Sequence, residues 1–442
     1  MIISEEPSEG SWSQSASMPP SPVSRSKEPL AICGLACRLP GDSSSPRDFW
    51  DLLANGRSGK CEVPKSRFNV DGFYHPNGSD RPGSMITKGG YFLNEDTRQF
   101  ENSMFGINNL EATYMDPQQR KLLEVVFECL ENAGVPLDVA SGSNTGCYVG
   151  NFTFDYLVMQ SRDADYLTRY NSTGMGTSIL GNRISHVFNL KGPSLVIDTA
   201  CSSSLYCLHV ACVALENHEC DAAIVAGANL IQSVEQHIGT MKAGVLSPTS
   251  ECHTFDASAD GYGRAEGIGA LYIKRLSDAL RDGDAIRSVI KGSAINANGK
   301  TAGISLPSAD GQEAVIRKAM HKASLSPNDI TYVECHGTGT KVGDAIEVEA
   351  LNRVFQRPLD RPLFIGSVKS NIGHSEAASG IAGVIKSTLA LEKRLIPPTY
   401  GLKKLSPKLE PFKDGISIPT ELISWPGDKE CIRRIGMLES HL

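Results

Sequence analysis

Cys201 stands where an apolar run turns into a helix-periodic one. Ser194-Leu195-Val196-Ile197 reads as a buried strand, and Leu205, Leu208, Cys212 and Leu215 then recur at helical spacing. The cysteine therefore occupies a strand-to-helix elbow within Asp198-Thr199-Ala200-Cys201-Ser202-Ser203-Ser204-Leu205. Free backbone N–H groups and the positive end of the helix dipole favour thiolate at such a place, and the small neighbours leave room for a substrate. This is the chemistry of a nucleophile. The competing reading is one more buried cysteine, in a chain that holds twelve.

Two of the ten histidines stand apart. His336 follows the apolar run Tyr332-Val333 and opens a loop of small residues, so it belongs at a strand end. His374 comes after Ile365-Gly366-Ser367-Val368-Lys369-Ser370-Asn371 and before Ser375-Glu376-Ala377-Ala378, a helix start. By contrast His209 and His218 fall in or at the end of the helix after Cys201, while His75, His253 and His321 lie in polar surroundings, where a structural role is the default. One cysteine with two histidines suits more than one reaction. A hydrolase pairs the thiol with a histidine and activates water. A condensing enzyme holds an acyl group on the thiol and uses two neutral imidazoles to donate hydrogen bonds to an enolate oxyanion. The residues alone do not separate these.

Nucleotide chemistry fails on spacing. Asn298-Gly299-Lys300-Thr301 ends like a phosphate-binding loop, but Ala294 stands where its first glycine belongs. Gly337-Thr338-Gly339-Thr340-Lys341-Val342-Gly343 and the segment from Gly261 to Gly267 each carry one residue too many for a dinucleotide fingerprint. The cysteines do not pair with histidines at zinc-site distances, so no metal is expected. A formal net charge of −7 and the lack of a long basic run argue against nucleic acid and anionic membrane as partners. No apolar stretch reaches membrane-spanning length, and the expected compartment is the cytoplasm, where the cysteines stay free.

With 442 residues, 40% of them hydrophobic, the chain can build one large core or two fused halves. Residues 1 to 28, rich in Ser, Pro and Glu, read as a disordered tail, with order starting at Leu30. Asp116-Pro117 opens a helix, Asp as N-cap and Pro at the first position; Leu122, Leu123, Val126 and Leu130 form its buried face and Gly134 ends it. Short apolar runs follow at Gly146 to Val149, Leu195 to Asp198, Ala222 to Ala226, Ala270 to Ile273, Val289 to Ile290, Tyr332 to Glu334 and Phe364 to Val368, several separated by helical stretches. The alternation predicts an α/β protein with helices on both sheet faces. The two elbows, at Cys201 and His374, hint at an internal duplication.

Five motifs carry a resemblance. Cys37-Arg38-Leu39-Pro40-Gly41, Met115-Asp116-Pro117-Gln118-Gln119-Arg120, the segment around Cys201, Val333-Glu334-Cys335-His336-Gly337-Thr338-Gly339-Thr340 and Lys369-Ser370-Asn371-Ile372-Gly373-His374 resemble, in this order, the β-ketoacyl synthase domain of type I polyketide synthases, most closely the fungal highly reducing kind. The resemblance runs from about Pro29 to about Arg434. It implies a thiolase-like fold of two duplicated α/β halves, each with a mixed five-stranded sheet, stacked in layers: residues 29–285 with the nucleophile, then 286–442 with the histidines. It also implies roles. Cys201 accepts an acyl chain from the phosphopantetheine arm of an acyl carrier protein. His336 and His374 bind the carbonyl of a malonyl thioester, promote loss of carbon dioxide and stabilise the enolate. Lys369 orients them, where the bland alternative is a solvent lysine. No cofactor is bound directly, and the expected assembly is a homodimer.

Two departures qualify this. Cys335 replaces the family's usual alanine, a compact change. After Cys431-Ile432-Arg433-Arg434 the family continues into a strand and a Gly-Phe-Gly-Gly-Thr-Asn loop that completes the oxyanion hole, whereas this sequence reads Ile435-Gly436-Met437-Leu438-Glu439-Ser440-His441-Leu442. The expectation is therefore a truncated second half with an unpaired sheet edge and a weakened site, using a carrier protein supplied in trans. The rival reading is a silent remnant that only dimerises or docks; a thiol hydrolase ranks behind both.

Overall fold

Each apolar run becomes a strand. A computed structural model describes residues 1–5, 28–427 and 432–440. Eleven strands form one sheet: β1 (Ile2–Ser4), β2 (Leu30–Arg38), β3 (Thr145–Asn151), β4 (Ser194–Ile197), β5 (Ala222–Asn229), β6 (Gly267–Arg275), β7 (Ser288–Gly292), β8 (Tyr332–Glu334), β9 (Leu363–Gly366), β10 (Ile416–Ser417) and β11 (Arg434–Met437). Their spatial order is β10-β9-β8-β11-β1-β7-β2-β6-β5-β3-β4. The ladder is mixed: β4, β3 and β5 run parallel, β5-β6-β2-β7 antiparallel, and β11-β8-β9-β10 parallel again.

Alternation along the strands sets the layers. On β3, Cys147 and Val149 join a core with Leu122, Leu123, Val126 and Leu130 of helix α1 (Pro117–Asn132), while Tyr148 faces the opposite core. That second core holds Leu208, Cys212 and Leu215 of α2 (Ser203–Glu216) against Ile381, Val384 and Ile385 of α5 (Ser379–Lys393). A third packs β8 and β9 on α3 (Ala309–Ala323) and α4 (Gly343–Phe355). Helix and sheet layers therefore alternate, with α2 and α5 in the middle. As predicted, Asp116 caps α1, its carboxylate accepting from the Gln118 N–H at 2.8 Å, and Gly134 ends it at φ +71°.

Three expectations change. The tail assigned to residues 1 to 28 is structured at its start: residues 6–27 lie outside the described part, but Ile2–Ser4 pair antiparallel with β11 on one side and β7 on the other. Ile3 is fully buried in the middle core, which is the reason a three-residue apolar run holds a place in the sheet. The unpaired edge expected near Arg434 is absent from the described residues, because Arg434–Met437 forms β11 between β8 and β1. The strand Ser194–Ile197, read as buried, is instead the outermost strand, with Leu195 43% exposed. Because β1 joins the two halves of the ladder, Ile3→Ala is expected to destabilise the protein by about 2–5 kcal/mol, the range for a truncated core isoleucine. A urea midpoint equal to that of the parent would show that β1 contributes nothing.

Candidate active site

The Cys201 elbow is built by β4, a tight turn and α2. Ala200 takes the left-handed conformation at φ +52°, Cys201 sits in the single 3₁₀ turn Ala200–Ser202, and α2 begins at Ser203. The turn lies directly on β3. A Cβ placed on Gly150 would fall 2.6 Å from the Ser204 nitrogen, so only glycine lets the elbow approach the sheet this closely. A second elbow follows β9: Lys369–Ile372 form one helical turn, Gly373 takes φ +72°, and His374 precedes a 3₁₀ turn (Glu376–Ala378) that feeds α5. Glu376 there has φ +46°, the counterpart of Ala200, so both elbows use a strained non-glycine residue before the middle-layer helix. His336 arrives on the loop between β8 and α4, its backbone N–H donating to Glu347 Oε1 at 2.7 Å.

These elements bring the predicted residues together. Cys201 Sγ lies 3.0 Å from His374 Nε2, and the His336 and His374 rings are 5.4 Å apart at 89°. Tyr262 packs edge-on against His374 at 4.8 Å. All four residues line one cleft of about 1120 Å³, its mouth included, together with Thr338, Thr340 and Ser440. Lys369 reaches His336 through a carboxylate: its Nζ meets Glu439 Oε2 at 3.0 Å, and Glu439 Oε1 accepts from His336 Nδ1 at 2.8 Å. Ser379 Oγ meets His374 Nδ1 at 2.7 Å. A hydroxyl both donates and accepts, so Ser379 serves either neutral tautomer of that ring.

The electrostatics correct one expectation. Burial pushes the Cys201 thiol well above its usual range, and the carboxylates of Glu376 and Glu439 push the same way, against Lys369. The turn before α2 does not overcome this, so the resting form is thiol rather than thiolate. Burial also pushes the His374 imidazolium well below the ordinary range, with Lys369, His336 and Arg264 adding to the effect. A neutral ring nitrogen therefore faces a protonated thiol. Since the thiol remains the dominant form well above neutrality, iodoacetamide labelling of Cys201 is expected to climb steadily between about pH 7 and about pH 9, about tenfold per unit of pH. Peptide mapping reads the rate at this cysteine; a plateau already reached near neutrality would contradict the assignment.

Among the described residues two donor sets each hold their ligand atoms within 4.8 Å of one another, Cys201 with His374 and Glu376, and His336 with His374 and Glu439. Each carboxylate already faces a buried cation: Arg264 Nε at 3.3 Å from Glu376 Oε1, and Lys369 on Glu439. A divalent ion would have to compete with both.

Residues 27–279 match the family description "Beta-ketoacyl synthase, N-terminal domain", and residues 287–403 match "Beta-ketoacyl synthase, C-terminal domain". The chain belongs to the β-ketoacyl synthase family. Among curated proteins it is 67% identical over 400 residues to a highly reducing polyketide synthase of Neurospora crassa, covering 90% of this chain and 17% of that one. It is 66% identical to highly reducing polyketide synthase 19 of Pyricularia oryzae, covering 92% of this chain and 16% of that one. This ketosynthase chain thus spans about a sixth of those relatives. Among solved structures, the oxazolomycin ketosynthase domain of Streptomyces albus superposes with a TM-score of 0.86 at 34% identity, covering 91% of this chain and 70% of that one. The ketosynthase from module 6 of the bacillaene synthase of Bacillus subtilis gives 0.83 at 38% identity, covering 91% and 68%. The thiolase-like α/β architecture is shared with them.

Sequence reasoning missed several residues of the site. Glu376 carried a signal, standing two positions after His374 at a helix start. Glu439 and Ser379 carried none: Glu439 lies 103 positions from His336, and only β11 brings it there.

Proposed function

We propose that this chain carries out decarboxylative condensation in polyketide assembly, joining an acyl group held on Cys201 to a malonyl thioester borne on the phosphopantetheine of an acyl carrier protein. The observation that carries the reading is the Cys201 thiol 3.0 Å from His374 Nε2, with His336 lining the same cleft.

Loading comes first. The Cys201 sulfur attacks the acyl thioester carbonyl while His374 Nε2 takes the thiol proton. The adduct collapses, the bond to the pantetheine sulfur breaks, and that sulfur leaves with the proton. Ser379 accepts from His374 Nδ1 during this exchange and can donate to it afterwards, letting Nε2 carry the hydrogen in the next step. The malonyl thioester then places its carbonyl oxygen between the two histidines. Its bond to the carboxylate breaks, carbon dioxide leaves, and the electron pair becomes an enolate whose oxygen the histidines stabilise. The enolate carbon attacks the acyl-cysteine carbonyl, the carbon–sulfur bond breaks, and the released thiolate regains a proton from solvent.

An apolar cavity beside the cleft supports an acyl substrate. It measures about 1020 Å³ with its opening, is lined by Leu205, Ile316, Met320, Leu351, Phe355 and Leu438, and shares Gln312 and Ser440 with the cleft. A self-associated form fits the outer edge of β4, which has no strand partner among the described residues while Leu195 is 43% exposed. Leu195→Lys is expected to shift the mass from dimer to monomer in light scattering; an unchanged dimer would place the interface elsewhere.

To test the function, the chain is supplied with an acyl thioester and malonyl-pantetheine. The expected products are carbon dioxide and a 3-oxoacyl thioester. Free acid formed without carbon dioxide would identify a hydrolase and overturn the proposal.

A further inference from the structure

Glu439 lies outside the five motifs, in the segment where this sequence departs from the family, yet it touches one of the two histidines. Its side chain is only 5% exposed and its carboxylate bridges two groups, accepting from His336 Nδ1 at 2.8 Å and from Lys369 Nζ at 3.0 Å. The contrast with His374 is chemical. Behind His374 stands a hydroxyl, which serves either tautomer; behind His336 stands a carboxylate, which only accepts. Hydrogen bonding to Glu439 thus puts a proton on His336 Nδ1. In a neutral ring Nε2 is then a bare acceptor with nothing to offer an enolate oxygen. Only the doubly protonated ring both satisfies Glu439 and donates from Nε2.

We propose that Glu439 is a positioning residue that makes His336 the cationic member of the pair, so that the two histidines stabilise the enolate unequally, one as imidazolium and one as neutral imidazole. This rests on the condensation reading above and replaces the two equal neutral donors expected from the sequence. The charges around His336 fit. Lys369 tethers Glu439 from the far side and Glu347 accepts from the His336 and Gly337 backbone N–H groups. His374 is the neighbouring ring. Burial pushes the Glu439 carboxyl upward, but Lys369 and His336 outweigh it and hold the group below the usual carboxylate range, as the anion this role requires. The imidazolium brings its charge to the place where negative charge develops, at no cost of reorganisation during the reaction.

The test uses Glu439→Gln, which keeps the shape but can present an amide donor to Nδ1. Three quantities are followed: acyl loading at Cys201, decarboxylation of malonyl-pantetheine, and the ring ¹⁵N signals of His336 in histidine-labelled protein at pH 7, assigned by their loss in His336→Gln. The expected result is decarboxylation lowered ~10–100-fold, as for other carboxylates behind a working histidine, with loading not lowered, since the variant removes an anion that pushes the Cys201 thiol up. The His336 signals move from the doubly protonated to the neutral pattern. Loading and decarboxylation falling together would mark a merely structural role and overturn the proposal. So would a parent protein whose His336 is already neutral, or a variant that decarboxylates at the parent rate. A parent that neither loads nor decarboxylates would overturn the condensation reading instead, and the ¹⁵N spectrum still decides the charge of His336.

Discussion

Cys201→Ala is expected to remove acyl loading and condensation together, with a fall in turnover of about 10⁶-fold, the scale seen when a covalent nucleophile is deleted. The size follows from the geometry. Among the described residues the other cysteines are buried in packing roles or, like Cys61, lie away from the histidine pair, and Cys201 is the one that both lines the cleft and meets His374. Folding is expected to survive, because alanine fits the turn that already holds Ala200 at φ +52° beside it. Intact mass after incubation with an acyl thioester measures the adduct, and circular dichroism confirms the fold. An adduct of parent yield on folded Cys201→Ala protein would sink the assignment.

The histidines are expected to separate the two half-reactions. His374→Ala removes the base that faces the thiol, so both loading and condensation fall, by about 10²–10⁴-fold, the contribution of a placed general base. His336→Ala leaves the thiol and its base in contact and loading near the parent rate, while decarboxylation drops by about 10²–10³-fold, the value of one oxyanion donor. The asymmetry rests on the contacts each ring makes: His374 Nε2 meets Cys201 Sγ at 3.0 Å, while His336 Nδ1 is bonded to Glu439 at 2.8 Å. Single-turnover loading and carbon dioxide release from malonyl-pantetheine measure the two steps separately. Equal losses in both steps for both variants would show that the rings act as one unit.

Much of the site could be read in advance, and the reasons are local. A cysteine at the junction of an apolar run and a helical period is visible in a dozen residues, and so is a histidine after a strand; the elbows at Cys201 and His374 needed no long-range information. The same holds for α1, whose cap, proline, apolar face and terminal glycine all lie within one segment. What escaped depends on residues far apart in the chain. Ile2-Ile3-Ser4 is a three-residue run beside a long polar stretch, and its place in the sheet comes from Gly436 and Ile290, hundreds of positions away. Leu195 looks like a core residue by type, yet β4 is the last strand in the ladder, a fact of topology rather than composition. The thiol's charge state differs from the expectation because a helix end can be read locally, whereas Glu376, Glu439 and the burial of the sulfur come from residues far away in the chain.

The most direct measurement is a single-turnover chase. Protein loaded with a labelled acyl group is freed of excess thioester, mixed with malonyl-pantetheine, and followed by mass spectrometry of the peptide containing position 201 together with released gas. The acyl mass is expected to leave that peptide as one carbon dioxide and one 3-oxoacyl thioester form for each group lost. Label residing on another cysteine, or departing as free acid while the malonyl carboxylate stays intact, would contradict the account.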